Sequence, residues 1–276
     1  MAIITKITTQ QKNQDRFNVF MDYGKGKGEE FAFSIDSDVL IKYQLKKGME
    51  LDDLSFLEIQ YQDEIRKTYN LAINYLARRM RSEKEIVDYL GQKEVDELVI
   101  NEVIHKLTAQ HYLNDQDFAL AYVRTQAKTT DKGPSIIKME LKDKGVAEGI
   151  ILESLQEFPL AQQIEKAIKI SVKFYQKNSM LSYKIQKQKL EQLLLRKGYS
   201  FEVINIAVSE TEVPKQDEEE MEAVRFQGEK VLRKYSHLEG FEYHHKIKQA
   251  LYRKGFTIDL IERFLAEKDE EADSKG

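Results

Sequence analysis

The chain contains no cysteine, only three prolines and only 13 glycines among its 276 residues. Without cysteine there is no disulfide framework, no thiolate metal ligand and no sulfur nucleophile. Average usage predicts roughly 30 glycines and prolines in a chain of this length. A chain this short of helix breakers builds helices, which argues against a β-sandwich, a β-barrel or a collagen-like repeat. Long apolar runs are missing too, and none approaches the ~18 residues that span a bilayer. The opening Met1-Ala2-Ile3-Ile4-Thr5-Lys6 lacks the basic-then-apolar order of a secretion signal. What is abundant is charge: 33% of residues are charged, with a net charge of −4. The expectation is a soluble, cytoplasmic, mainly helical protein, long enough to bury a core.

The first 35 residues differ from the rest. Ile3 to Thr8, Arg16 to Met21 and Glu30 to Ile35 are β-branched and aromatic runs with partial period-2 alternation, which predicts three antiparallel strands. Gly24-Lys25-Gly26-Lys27-Gly28 lacks the order of a phosphate-binding loop and reads as a hairpin loop. Asp36-Ser37-Asp38 offers caps to a short helix from Val39 to about Lys47, ended by Gly48. Beyond Leu51 the helical period takes over, and Ile65, Tyr69, Ala72, Ile73, Leu76 and Met80 form one apolar stripe. Ser82-Glu83-Lys84-Glu85 has the form of a capping box, so one helix ends near Arg81 and another starts at once.

An internal repeat sets the architecture. Leu141 to Val146, Leu194 to Tyr199 and Leu251 to Phe256 share the order Leu, two variable residues, Lys, Gly, apolar. An aliphatic pair follows each glycine: Ile150-Ile151, Val203-Ile204 and Leu260-Ile261. Leu90 to Val95, with Val99-Ile100, fits the same frame, but Glu94 stands where the others have Gly145, Gly198 and Gly255. The four positions are spaced by 51, 53 and 57 residues. Physically, lysine suits the negative end of a helix, glycine takes the left-handed cap, and the next apolar residue packs back. With an amphipathic helix upstream, each unit is three helices that bury their faces by stacking, which predicts an elongated, curved array. The expected divisions are a β-rich domain over 1–60, then repeats over 61–113, 114–158, 159–211 and 218–268. An acidic linker over 212–222 and a frayed acidic tail over 269–276 complete the chain.

Signals for chemistry are poor. His244-His245 diverge by about 100° on a helix and have no third ligand at metal-binding spacing. Asp115 and Asp117 are explained by helix capping and dipole complementation, so no metal or other cofactor is expected. Charge placement says more. Lys166 to Lys197 holds nine cations against one acid, Arg66 to Lys93 seven against three, and Ser209 to Glu222 one against seven. A run of charge is ordinarily a solvated face. A net of +8 over one helix pair, beside Tyr175 and Tyr183, suits phosphates or an acidic protein surface.

Asn74-Tyr75-Leu76-Ala77-Arg78-Arg79-Met80-Arg81-Ser82-Glu83-Lys84-Glu85 strongly resembles the most characteristic stretch of the RecX family of recombinase regulators. Tyr112 to Ala119 resembles its second hallmark. Lys132-Gly133-Pro134, followed by Glu140 to Val146, resembles its third. The resemblance covers about residues 60 to 265. It implies tandem three-helix repeats lying along the groove of the RecA–DNA filament, restraining strand exchange, ATP hydrolysis and coprotease activity without catalysis. The chain departs from the family pattern in having four repeats rather than three, a β-rich extension, and Glu94 in place of a glycine.

The reading that follows is a monomeric, non-enzymatic regulator whose partner is the RecA nucleoprotein filament, with single- or double-stranded DNA as a further partner and no membrane. Arg78, Arg79, Arg81, Lys84, Arg124, Lys132, Lys138 and Lys142, with Lys184 and Lys187, are the candidate contacts. The alternatives are a helical-repeat scaffold for an acidic protein without a nucleic-acid role, and a metal-dependent nuclease built on scattered carboxylates.

Overall fold

The computed structural model describes residues 2–24, 26–211 and 217–273, and it divides into two compact units. Unit one comprises Met1–Ala119 and Leu141–Ile151; unit two comprises Leu120–Glu140 and Leu152–Gly276. Lys25, residues 212–216 of the expected acidic linker, and residues 274–276 of the expected tail lie outside the described residues.

Unit one opens with strands β1 (Ala2–Thr9), β2 (Arg16–Asp22) and β3 (Glu30–Asp36), where the alternation predicts them. A two-residue strand, β4 (Glu50–Leu51), adds to β1 and gives the antiparallel order β3-β2-β1-β4. Two residues carry no period, so β4 had no signature. Ile4, Val19, Met21, Phe33 and Ile35 share the buried face, with Leu51 and Ile59.

Helix α1 (Ser37–Lys42) stops earlier than expected. Gln44 (φ 51°) is the left-handed residue that ends the helix, and Gly48 (φ 85°) makes a separate left-handed turn after it. The Leu45 amide donates to the Leu40 carbonyl at 3.1 Å and the Gln44 amide to that of Ile41 at 3.0 Å, a Schellman cap. Burying Leu45 favours this stop although the cap residue is not glycine.

The domain boundary expected at residue 60 falls inside helix α2 (Asp53–Leu76). The start of this helix faces the sheet through Ile59, while Ile65 and Ala72 belong to the first repeat's core. The buried Asp63 between them is held by Arg16 (3.0 Å), Lys67 (2.7 Å) and the Asp36 amide (2.7 Å). Three donors on one buried carboxylate compensate its desolvation, and they tie α2 to β2 and β3.

The first repeat is completed by α3 (Glu83–Gly91) and α4 (Glu97–Ala109). The second consists of α5 (Asp115–Thr129), α6 (Pro134–Asp143) and α7 (Glu148–Ser154), with residues in both units. The third is α8 (Leu160–Lys177), α9 (Tyr183–Arg196) and α10 (Phe201–Thr211). The fourth is α11 (Asp217–Tyr235), α12 (Gly240–Arg253) and α13 (Ile258–Asp273). Asp217, Glu218, Glu219 and Glu220 of the expected acidic linker form the first turn of α11, where carboxylates complement the helix dipole. Helix α13 stays helical to Asp273, beyond the expected start of fraying at 269.

All four repeat positions carry the same Schellman cap. The residue after each donates to the leucine carbonyl that opens the motif: Val95 to Leu90 (3.4 Å), Val146 to Leu141 (3.1 Å), Tyr199 to Leu194 (3.2 Å) and Phe256 to Leu251 (3.4 Å). Glu94 takes φ 59° and the three glycines φ between 80° and 87°. Val146, Tyr199 and Phe256 are buried, as the packing argument requires.

The glycines do more than adopt that conformation. A Cβ on Gly198 would lie 2.8 Å from the Ile136 backbone nitrogen, and one on Gly145 would lie 2.6 Å from Lys84 Cβ. One on Gly255 would lie 2.6 Å from Ser182 Oγ. Each glycine is pressed against the second helix of the preceding repeat, at that helix's N-terminal end. Hydrogen bonds close the joints. The Gly133 amide donates to the Lys197 carbonyl (2.6 Å), the Ser135 amide to that of Gly198 (3.1 Å), and Ser182 Oγ to that of Lys254 (2.5 Å). Donors at a helix start thus meet orphan carbonyls at a helix end. No repeat precedes the first, and Glu94 is exposed, so a side chain is tolerated there.

Candidate partner-binding surface

The signature stretch Arg78 to Glu85 joins the end of α2 to the start of α3, in unit one. The Ser82 hydroxyl accepts from the Glu85 amide (3.3 Å) and Glu85 accepts from the Ser82 amide (3.2 Å), the predicted capping box. Glu85 also receives Arg79 (2.8 Å) and Lys144 (3.0 Å). Burial works to raise the Glu85 carboxyl. The Arg79, Lys144 and Ser82 hydrogen bonds and the Lys144 charge together outweigh it and hold the group at about 2. Lys84 donates to the Asp143 carbonyl (2.9 Å), while its stem covers Gly145. Asp115 stands with Asp117 in the first turn of α5, where it complements the dipole as expected, and it also accepts from the Glu83 amide (2.9 Å); the capping itself falls to the Asn114 side chain, through the Gln116 amide (2.9 Å).

Arg81 lies 3.8 Å from the centroid of the Tyr75 ring, which stacks on Tyr89 at 3.9 Å and 11°. Lys93 sits over the outer face of the pile, 5.9 Å from Tyr89. Both faces of Tyr75 are taken, so the stack fixes a guanidinium in place rather than offering a ring to a ligand. Arg78 is exposed and makes no hydrogen bond or ion pair among the described residues.

Three of the other six candidate cations have carboxylate partners. Lys142 pairs with Glu148 (2.7 Å) in unit one. In unit two Arg124 pairs with Glu157 (2.7 Å) and Lys132 with Glu140 (2.5 Å), which also accepts from the Tyr122 hydroxyl (2.9 Å). Lys138 and Lys187 are half-buried, and both make polar contacts. Lys184 is exposed at the start of α9 and, like Arg78, unpaired among the described residues. Arg79, Arg81, Lys84, Arg124, Lys132 and Lys142 therefore stabilise caps, joints or helix pairs, while Arg78 and Lys184 have no such duty.

A cationic feature outside the candidate set is better formed. Lys166, Lys169, Lys173 and Lys177 project from α8, and Lys197 from the end of α9, into a groove of about 470 Å³ floored by Ile170, Phe174 and Leu193. Its signal was the spacing of lysines at i, i+3, i+7 and i+11, one face of a helix. No group of three or more histidine, aspartate or glutamate side chains among the described residues is arranged to hold a metal ion. No helix among them is long and apolar enough to cross a membrane.

The β-rich N-terminal region, expected as a departure from the family pattern, is part of it. Residues 2–52 match the regulatory protein RecX N-terminal domain, 69–107 the first RecX three-helix domain and 114–155 the second. Over 269 residues the chain is 48% identical to the regulatory protein RecX of Bacillus velezensis, covering 98% of this chain and 100% of that one. The chain belongs to the RecX family of regulatory proteins. It is also 47% identical over 274 residues to the regulatory protein RecX of Bacillus cereus strain B4264, covering 98% of this chain and all of the relative. A crystal structure of regulatory protein RecX superposes with a TM-score of 0.67 at 32% identity, covering 76% of this chain and all of that one. RecX from Lactobacillus salivarius gives 0.53 at 37% identity, covering 54% of this chain and 97% of that one. The third RecX three-helix domain matches twice, over 161–208 and 217–265, so the fourth repeat is a second copy of the third type.

Proposed function

We propose that this chain is a non-enzymatic regulator of the RecA–DNA filament, which it restrains in strand exchange, ATP hydrolysis and coprotease activity. The observation that carries the reading is membership of the RecX family along nearly the whole chain, N-terminal domain and all three repeat types included. The physical features agree with it. A tandem series of like three-helix repeats suits a periodic partner, and exposed cations on two of them suit a polyanionic one.

The test is RecA-dependent ATP hydrolysis on single-stranded DNA with the chain added. Suppression is expected. Charge reversal of all the candidates together is the wrong probe, because Arg79, Lys84, Arg124, Lys132 and Lys142 hold the fold through ion pairs or cap contacts. Arg78→Glu and Lys184→Glu remove exposed charges without breaking any such pair. They are expected to weaken suppression while leaving thermal stability within about 0.5 kcal/mol of wild type. A wild-type chain that leaves ATP hydrolysis unchanged would end this reading.

A further inference from the structure

The two copies of the third-type domain provide an internal comparison. An offset of 57 residues carries Gly198 onto Gly255, and with it Lys166, Lys169, Lys173, Lys177 and Lys197 onto Ala223, Phe226, Lys230, Lys234 and Lys254. The outer lysines and the cap lysine recur, but the two at the inner end of the row exist only in the third repeat. In the fourth, Lys230 lies against the Phe226 ring at 3.9 Å, Lys234 lies 5.4 Å from the Tyr235 ring centroid and Lys254 donates to Gln227 (3.0 Å), so all three remaining lysines have internal contacts. Four carboxylates open that copy's first helix, whereas none stands in the first turn of α8.

In the third repeat the lysines are arranged for an external anion. Lys166 spends two of its three N–H donors on the Ala127 and Thr130 carbonyls and is only partly exposed, so its charge is fixed in place at one end of the groove. Burial pushes its ammonium down from the ordinary value; Asp131 opposes that, and the like charge of Lys169 adds to it. Lys169 pairs with Glu165 (2.5 Å) and Lys197 with Asp131 (3.1 Å), both exchangeable ion pairs near the surface. Lys173 and Lys177 are exposed and make no hydrogen bond or ion pair among the described residues. Five lysines thus line the groove beside one lining carboxylate, Asp131, with Glu165 paired to Lys169 outside the lining.

Spacing and floor select the polyanion. Successive lysines along α8 rise by about 4.5–6 Å, from ~1.5 Å per residue, which suits consecutive phosphates of one strand. The apolar floor gives unstacked bases a surface to lie on, which a duplex with its bases paired inside does not need. We infer that the groove between α8 and α9 of the third repeat binds the phosphate backbone of a single-stranded nucleic acid. The inference rests on the proposed function only in preferring nucleic acid to an acidic polypeptide.

The experiment uses the full chain and a fluorescent oligothymidylate, without RecA, across a salt series. The Lys173→Ala/Lys177→Ala pair is expected to weaken binding and to lower the log–log salt slope by about 1.4, at ~0.7 per phosphate contact. Lys173→Arg/Lys177→Arg should retain both affinity and slope. Lys230→Ala/Lys234→Ala, the matching pair in the fourth repeat, should leave both unchanged. Wild type that does not bind, an alanine pair at 173 and 177 that binds like wild type, or equal loss from the fourth-repeat pair would each overturn the assignment. Polyglutamate displacing the oligonucleotide at equal charge would make the ligand an acidic polypeptide and overturn it likewise. RecA ATP hydrolysis, measured in parallel, keeps the two claims apart. Suppression without oligonucleotide binding defeats the groove alone, and binding without suppression defeats the regulatory reading alone.

Discussion

Gly198→Ala is the substitution for which the repeat joint makes its sharpest prediction. Two costs add. The backbone there has φ 87°, and an L-residue in the left-handed region costs roughly 1 kcal/mol. The new Cβ would also sit 2.8 Å from the Ile136 nitrogen and 2.7 Å from Ile136 Cγ1. Neither strand of the contact can withdraw freely, because Gly133 and Ser135 donate across the joint at 2.6 and 3.1 Å. Overpacking of that kind costs about 1–3 kcal/mol, for a total of about 2–4 kcal/mol. At ~2–4 °C per kcal/mol the melting temperature should fall by on the order of 10 °C. The first repeat isolates the conformational part, since Glu94 has φ 59° and is exposed. There, Glu94→Gly should stabilise by up to about 1 kcal/mol relative to Glu94→Ala. Calorimetry or circular dichroism on the three variants measures both quantities. If Gly198→Ala costs no more than the difference between the two Glu94 variants, the joint contributes nothing and the close-approach reasoning is wrong.

Other outcomes follow from the same contacts. Tyr199 is buried with its hydroxyl unpartnered, and burial pushes its phenol up to about 12. Tyr199→Phe should therefore hold or raise stability, by up to about 1 kcal/mol, because the desolvated hydroxyl is removed; the fourth repeat has Phe256 at this position. A melting temperature several degrees lower would mean the hydroxyl has a partner. Glu85, held at about 2 against an ordinary 4.5, titrates at lower pH in the folded state than in the unfolded one. Its contribution is thus complete above about pH 4.5 and is lost as pH falls toward 2. The stability gap between wild type and Glu85→Gln should close over that window, and a gap independent of pH would refute the assignment.

Much of the architecture was legible from local signals. Period-2 runs located β1 to β3, the Ser82–Glu85 spacing located a helix start, and the repeated Leu-x-x-Lys frame, followed by glycine in three copies and Glu94 in one, located four helix ends. Each depends on the chain's immediate neighbours alone: a turn's dihedral preference, a cap's reach, the pitch of a helix. The change of core along α2 was not legible for the complementary reason, since the helix has one uninterrupted pattern and changes the core it serves only when folded. The candidate site was less legible still. Sequence shows where cations are, but a lysine bound to a carboxylate 59 or 66 residues away reads the same as a solvated one. Tertiary structure decided that Arg79, Lys84 and Lys132 are committed to caps, joints and helix pairs, and that Arg78, Lys173, Lys177 and Lys184 are not.

Glycine scarcity had the same two-part answer. By itself the sequence determined that three of the 13 glycines occupy one repeat position and end a helix there, because a glycine after lysine at the close of an apolar stripe suits the left-handed cap. Why the first copy tolerates Glu94 was decided in three dimensions. A preceding repeat fills the space beside Gly145, Gly198 and Gly255, and no repeat stands before Glu94 to fill its own.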